Sequence, residues 1–271
     1  MTDQTLRSAL DDEAARAKLA PHEFDREWIR AHLAEERAKA SLLGEIREAI
    51  FGAQDGLVST LAVVSTVAGA SSERFPVLVA GIASALAGVF SMAAGEYIGS
   101  KSQREIFEAQ QAGEREEVAE RPGEAEAEMA FMFEEDGLTK DEAASVARVL
   151  ARHPRVLLKT MVEKELGLTG GHAEGSPLQG ALIMGVAFGL GAIVPVAPYV
   201  LLDLNVAVYA SLISTAAVLF GIGVVKSRWT RRGWLRSGAE ILVLGAVAGV
   251  AGYFFGDLLP HLLGVPAAGQ A

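Results

Sequence analysis

Asp55 stands in the run AIFGAQDGLVSTLAVVSTVAGA, residues 49–70, which is otherwise almost entirely apolar. A carboxylate in hydrocarbon costs several kcal/mol unless it is paired, hydrated or protonated. Met92 and Glu96 share that situation. They lie four residues apart in FSMAAGEYIG, a spacing that puts both on one face of a helix. Two carboxylates and a thioether make a ligand set for a first-row divalent ion. Carboxylates suit hard and borderline cations, and a thioether favours softer ones, so Fe²⁺, Mn²⁺, Co²⁺ and Zn²⁺ fit better than Mg²⁺ or Ca²⁺. The same carboxylates can carry protons, which would couple ion movement to a proton gradient. Taken singly, Asp55 and Glu96 read as interfacial caps near the headgroups and Met92 as ordinary packing. Together they point to a cation path.

A second set of acids recurs at helical spacing in a polar stretch. Glu105 and Glu108 are three apart, as are Glu114 and Glu117, and Glu117 and Glu120. Glu124 and Glu128 are four apart, and so are Met161 and Glu165 in TMVEKEL. Such pairs share a face and can share a cation. A solvated acidic helix gives the same spacing. Two features weigh against that reading: the acids are not evenly matched by lysine four residues on, and the stretch adjoins the apolar segments that carry Asp55 and Glu96.

These groups need long helices to hold them. The chain has 271 residues, 51% of them hydrophobic, and no cysteine. Its mean hydropathy is +0.29. That hydropathy indicates a membrane protein with a polar portion, and the missing cysteine excludes disulfides and thiolate metal sites. About 20 apolar residues cross a hydrocarbon core of about 30 Å. Five segments satisfy this: 49–70, 76–99, 178–202, 206–225 and 238–256. Each is rich in Gly, Ala and Ser, which let membrane helices approach closely, as at Gly81…Ala85 and Gly185…Gly189. The loop KSRWTRRGWLRSG, 226–238, carries five basic residues, whereas the loop around APYVLLDLN and the tail GDLLPHLLGVPAAGQA carry none. By the positive-inside rule the N-terminus, residues 101–176 and the 226–238 loop face the cytoplasm, and the C-terminus faces outward or into a lumen.

The expected architecture is therefore all-α. A cytoplasmic amphipathic segment, 1–48, precedes spans one and two within 49–100. A cytoplasmic acidic helical region, 101–176, follows, then spans three to five within 177–257 and a short non-cytoplasmic tail, 258–271. Span two has no breaker at its end and should run on as a long helix to the RPGE turn at 121–124. Further helices are expected at 124–136, 139–151 and 154–166, the second opened by a capping box from Thr139 and Glu142, before the Gly-rich link GLTGGHAEGSP. The N-terminus shows no signal-peptide pattern.

The net charge is −10, with −3 in residues 1–48 (11 acids, 8 bases) and −7 in residues 101–176 (17 acids, 10 bases). That balance argues against nucleic acid and favours cations as partners. The five histidines, His22, His32, His153, His172 and His261, are dispersed and form no metal-binding spacing. EEVAER, 116–121, matches the EExxxR pattern of certain intramembrane metalloproteases, but it lies in a polar stretch and no span contains a histidine. The protease reading predicts a cleavage activity that depends on Glu116.

REAIFGAQDGLVSTLAVVSTVAGA, FSMAAGEYIGSKSQREI and LQGALIMGVAFGLGAIVPVAPYV resemble the first three spans of the vacuolar iron transporter-like family, and the likeness covers about residues 44–257. The first 43 residues lie outside it and are too short for the ferritin-like domain of some relatives. The resemblance implies a five-span homodimer with its ion path between the subunits, exporting Fe²⁺, and often Mn²⁺, from the cytosol in exchange for protons. It puts the family's span-one aspartate on Asp55 and its span-two methionine on Met92. It also implies a cytoplasmic metal-binding domain with glutamates after span two, matched by Glu105, Glu108, Glu114 and Glu117 and then among Glu120, Glu124, Glu126 and Glu128. A Met-Met-x-x-Glu group before span three reads Met161-Val162-Glu163-Lys164-Glu165, so valine replaces the second soft ligand.

The expectation is thus a non-enzymatic, multi-pass transporter with no permanent cofactor, partnered by divalent metal ions, protons, the lipid bilayer and a second copy of itself. Its membrane would be the inner membrane in a bacterium or the vacuolar membrane in a eukaryote. The alternative is a membrane-anchored metal-sensing or buffering protein that keeps the glutamates and has no use for Asp55.

Overall fold

A computed structural model describes residues 25–165, 176–230 and 232–263. Most of the Gly-rich link, the last residues of the tail, and His22 and His172 lie outside the described residues, as do residues 1–24. The described elements are eight α-helices: α1 (Arg26–Ala70), α2 (Arg74–Glu120), α3 (Pro122–Glu135), α4 (Lys140–Ala151), α5 (Pro154–Glu165), α6 (Pro177–Leu201), α7 (Leu204–Thr230) and α8 (Trp234–Leu263). Five of them are long and apolar enough to cross a membrane: α1, α2, α6, α7 and α8 over Trp234–Gly256. Their outward faces are apolar too, with Phe90 72% and Tyr209 69% exposed. Helices apolar on all sides belong in lipid.

Residues up to Leu43 and residues from Gly44 onward form two units. In the first, Trp28 stacks on His32 with ring centroids 5.0 Å apart, and Lys39 pairs with Glu35 at 2.9 Å. The apolar Leu33, Leu42 and Leu43 of this unit are exposed.

In the second unit, α2 packs on α6, α6 on α7 and α7 on α8. Glycines set the closeness. A Cβ added at Gly52 would stand 2.5 Å from the carbonyl oxygen of Met184, one at Gly56 would collide with that of Phe188, and one at Gly191 with that of Ala53. The backbones of α1 and α6 therefore touch. On the other side of α6, Gly185 meets Ala93 and Val89 of α2, and Gly189 meets Val89. Small residues give membrane helices the dispersion contacts that hold them together where no hydrophobic effect acts between them. Leu57, Leu219 and Ile241 fill one core, and Val64, Val77, Val196, Tyr199 and Ala207 another. Pro195 and Pro198 lie inside α6, and the buried Ser211 of α7 donates to the Pro195 carbonyl at 2.8 Å. A polar group buried in a membrane bundle is costly without such a partner.

Beyond its apolar half α2 runs on as a polar helix, and α3, α4 and α5 fold onto that end around Val118, Ala125, Met129, Ala147, Leu157 and Met161. Pro122 opens α3 at a position where no N–H is needed. Gly137, with φ of 105°, closes it: Leu138 N–H bonds the Phe133 carbonyl at 3.1 Å and Gly137 N–H that of Glu134 at 2.9 Å, a Schellman motif. The capping box at Thr139 and Glu142 is present. Lys164 of α5 pairs with Asp136 and stands over the Phe133 ring at 4.6 Å, tying α5 to the end of α3.

The boundaries differ from the sequence reading in two places. The expected amphipathic helix and span one share α1, which runs from Arg26 to Ala70. No proline interrupts it, and a single glycine such as Gly44 costs a helix only about 1 kcal/mol. At the other end α8 runs to Leu263, into the stretch expected as tail.

Candidate metal-ion sites

Asp55 lies on α1 between Gly52 and Gly56, the two glycines that seat this helix on Met184 and Phe188 of α6. Met92 lies on α2 beside Ala93, which contacts Gly185 of the same α6 turn. The glycines thus bring both helices against one stretch of α6. Asp55 is partly buried, and among the described residues no lysine, arginine or histidine pairs with it. Its own backbone carbonyl accepts from Ser59 Oγ at 2.6 Å.

One turn beyond Met92, Glu96 accepts a hydrogen bond from Ser100 Oγ at 2.5 Å. Glu48 of α1 lies within electrostatic reach of Glu96. A Cβ added at Gly180 of α6 would stand 3.1 Å from Glu48 Oε2, and Gln179 Nε2 donates to Glu45 Oε1 at 2.8 Å. Acids of α1 and α2 therefore gather at this end of the apolar bundle, with α6 alongside. Glu48 was not singled out from the sequence. The signal was there: it stands seven residues before Asp55, two helical turns, on the same face.

In the polar helices the structure joins some of the expected acids and separates others. Glu114 and Glu117 of α2, Glu124 and Glu128 of α3 and Glu165 of α5 act on one another. Burial first, then the neighbouring Glu165 carboxyl, then Glu117 and Glu128, push the Glu114 carboxyl up to about 7. Glu128 is also raised, by loss of hydration and then by the neighbouring Glu117 carboxyl. Glu114 Oε2 and Glu117 Oε1 are buried with no donor. Acid oxygens buried without donors are costly and are relieved by a proton or a cation. Among the described residues no three acids or imidazoles are yet close enough to grip one ion together, so the group would have to close on an ion to hold it.

Glu105 and Glu108 are exposed and stand apart from that group. Each has a basic partner one turn earlier, Lys101 at 3.7 Å and Arg104 at 3.1 Å. Arg121 reaches Glu117 at 3.4 Å and Glu124 at 2.8 Å. The acids are thus better balanced than the count of lysines four residues on suggested, because the partners precede them or are arginines. Glu120 is exposed. Met161 is fully buried in the core with Met129 and Leu157, one turn from Glu165, so packing accounts for its placement. Glu116 of the protease-like pattern is exposed, and the pattern's Arg121 is engaged by Glu117 and Glu124. His153 is exposed at the start of α5.

The stretch that carries these groups matches known proteins. The sequence model of the VIT family matches residues 46–257. The chain is 31% identical to vacuolar iron transporter 1 of Arabidopsis thaliana over 256 residues, which are 94% of this chain and 100% of that protein. It is 32% identical to vacuolar iron transporter 1 of Eucalyptus grandis over 78% of this chain and 85% of that protein. For vacuolar iron transporter 2 of Oryza sativa the figures are 32%, 84% and 94%.

Proposed function

The chain belongs to the VIT family, and from that membership we propose that it carries Fe²⁺, with Mn²⁺ as a second substrate, out of the cytosol in exchange for protons. It is a transporter and not an enzyme. One observation carries the reading: Asp55 sits partly buried on an apolar, glycine-packed helix with no cationic partner among the described residues. An acid placed there without a fixed counterion is suited to a mobile one, and intramembrane acids mark ion and proton pathways.

In this reading the group around Glu114, Glu117, Glu128 and Glu165 collects the ion on the cytoplasmic side, and Glu105, Glu108, Glu120 and Glu124 extend the acidic approach. Glu48 and Glu96 receive it at the mouth, and Met92 and Asp55 bind it within the bundle. Proton and metal then neutralise Asp55 in turn. A second copy of the chain doubles the ligands to a workable coordination number. The buffering alternative draws on the glutamate group alone, which is complete without Asp55.

The test is ion flux by the purified protein in proteoliposomes, across a panel of divalent metals, with and without a pH gradient. The reading expects Fe²⁺ or Mn²⁺ movement that an opposing proton gradient accelerates. Metal binding without flux favours the buffering alternative.

A further inference from the structure

The joint between α7 and α8 carries positive charge that nothing described neutralises. Lys226, Arg228, Arg232 and Arg236 make no ion pair with any described residue. The nearest acids along the chain are Asp203 and Glu240, and Glu240 does not pair with Arg236, four residues before it. In a chain of net charge −10 this is an island of the opposite sign.

The helix ends on either side of the joint are packed together. A Cβ at Gly223 would collide with the Ser237 backbone, and one at Gly238 would press on the Phe220 ring, so α7 and α8 touch directly beneath it. Phe220 meets Trp234 edge-on, with centroids 6.4 Å apart and planes at 81°. Trp229 and Trp234 are nevertheless 46% and 55% exposed. Tryptophan with one wet edge is the residue type of the headgroup layer. The joint links two membrane-length helices and therefore lies at that layer. The first N–H groups of α8 add donors there, at the positive end of a 30-residue helix.

We propose that the α7–α8 joint is a binding site for anionic phospholipid headgroups, with Arg228, Arg232 and Arg236 gripping phosphate, Lys226 adding charge, and Trp229 and Trp234 seating the glycerol and upper acyl region. Arginine forks match phosphate geometry, and each basic residue near an anionic surface adds to the attraction. The inference needs only that α7 and α8 cross the membrane, and it holds whichever ion the protein moves.

The test uses the full-length protein in detergent. Added phosphatidylglycerol or phosphatidylcholine is followed by native mass spectrometry and by the thermal midpoint. Phosphatidylglycerol should be retained at least ~10-fold more than phosphatidylcholine and should raise the midpoint. Replacing Lys226, Arg228, Arg232 and Arg236 together by Gln should abolish that preference, and replacing the three arginines by Lys should keep much of it. If the fourfold variant does not fold, the exposed pair Arg232→Gln and Arg236→Gln should still lower the preference several-fold. The remote pair Arg148→Gln and Arg152→Gln should leave it unchanged. Inorganic phosphate should not substitute for the lipid. Equal retention of the two lipids by the wild type, or an undiminished preference in the Gln variants, would overturn the assignment.

Discussion

Glu114 on α2 and Glu165 at the end of α5 lie within electrostatic reach of each other, so a proton on Glu114 relieves the pair. Burial and that neighbour bring Glu114 from its ordinary 4.5 to about 7. The native state therefore binds this proton more tightly than the unfolded chain does. Its contribution to stability is complete below pH 4.5 and is lost as pH rises towards about 7. Hydrogen exchange of the α3–α5 amides in the full-length protein should quicken across that window. Glu114→Gln should flatten the dependence, because an amide has no proton to lose there.

The same proton competes with metal. Binding of Mn²⁺ to this glutamate group should strengthen as pH rises through the same window, since a ligand must be deprotonated. Arg121 competes as well, through Glu117 and Glu124. Arg121→Gln should tighten Mn²⁺ binding by ~5-fold, the worth of about 1 kcal/mol for a charge a few ångströms away in a wet site. Isothermal titration of the full-length protein reads both effects.

Gly56 leaves no room for a side chain against the Phe188 carbonyl. Gly56→Val should part α1 from α6 at a cost of about 1–3 kcal/mol, the usual range for overpacking. It should lower the thermal midpoint while leaving the separate core around Met129 and Leu157 intact. Gly44→Ala meets nothing within 4 Å and should not destabilise the helix.

The spans were legible because hydropathy and length report the membrane directly. So was the capping box at Thr139, because Ser or Thr followed three residues later by Glu is a local signal. What escaped was relational. The sequence lists Glu105, Glu108, Glu114 and Glu117 as equals. Packing of α3 and α5 on α2 withdraws Glu114 and Glu117 from water, while Glu105 and Glu108 stay exposed beside Lys101 and Arg104. Met161 reads as a soft ligand by spacing, yet the fold spends it on the core with Met129. Glu48 went unnoticed because the sequence reading closed the amphipathic segment at that residue. In the structure Glu48 and Asp55 share one helix, and α6 brings Gly180 alongside Glu48. A run of spacings along one helix cannot state which neighbouring helix will arrive.

In the proposed mechanism Asp55 holds the travelling ion. The direct measurement is Fe²⁺ and Mn²⁺ flux by Asp55→Ala and Asp55→Asn in sealed proteoliposomes under a pH gradient, beside wild type at equal reconstitution. A neutral side chain cannot exchange a proton for a metal, so flux should fall by at least ~100-fold while the thermal midpoint stays near the wild-type value. Wild-type flux from folded Asp55→Ala would contradict the account.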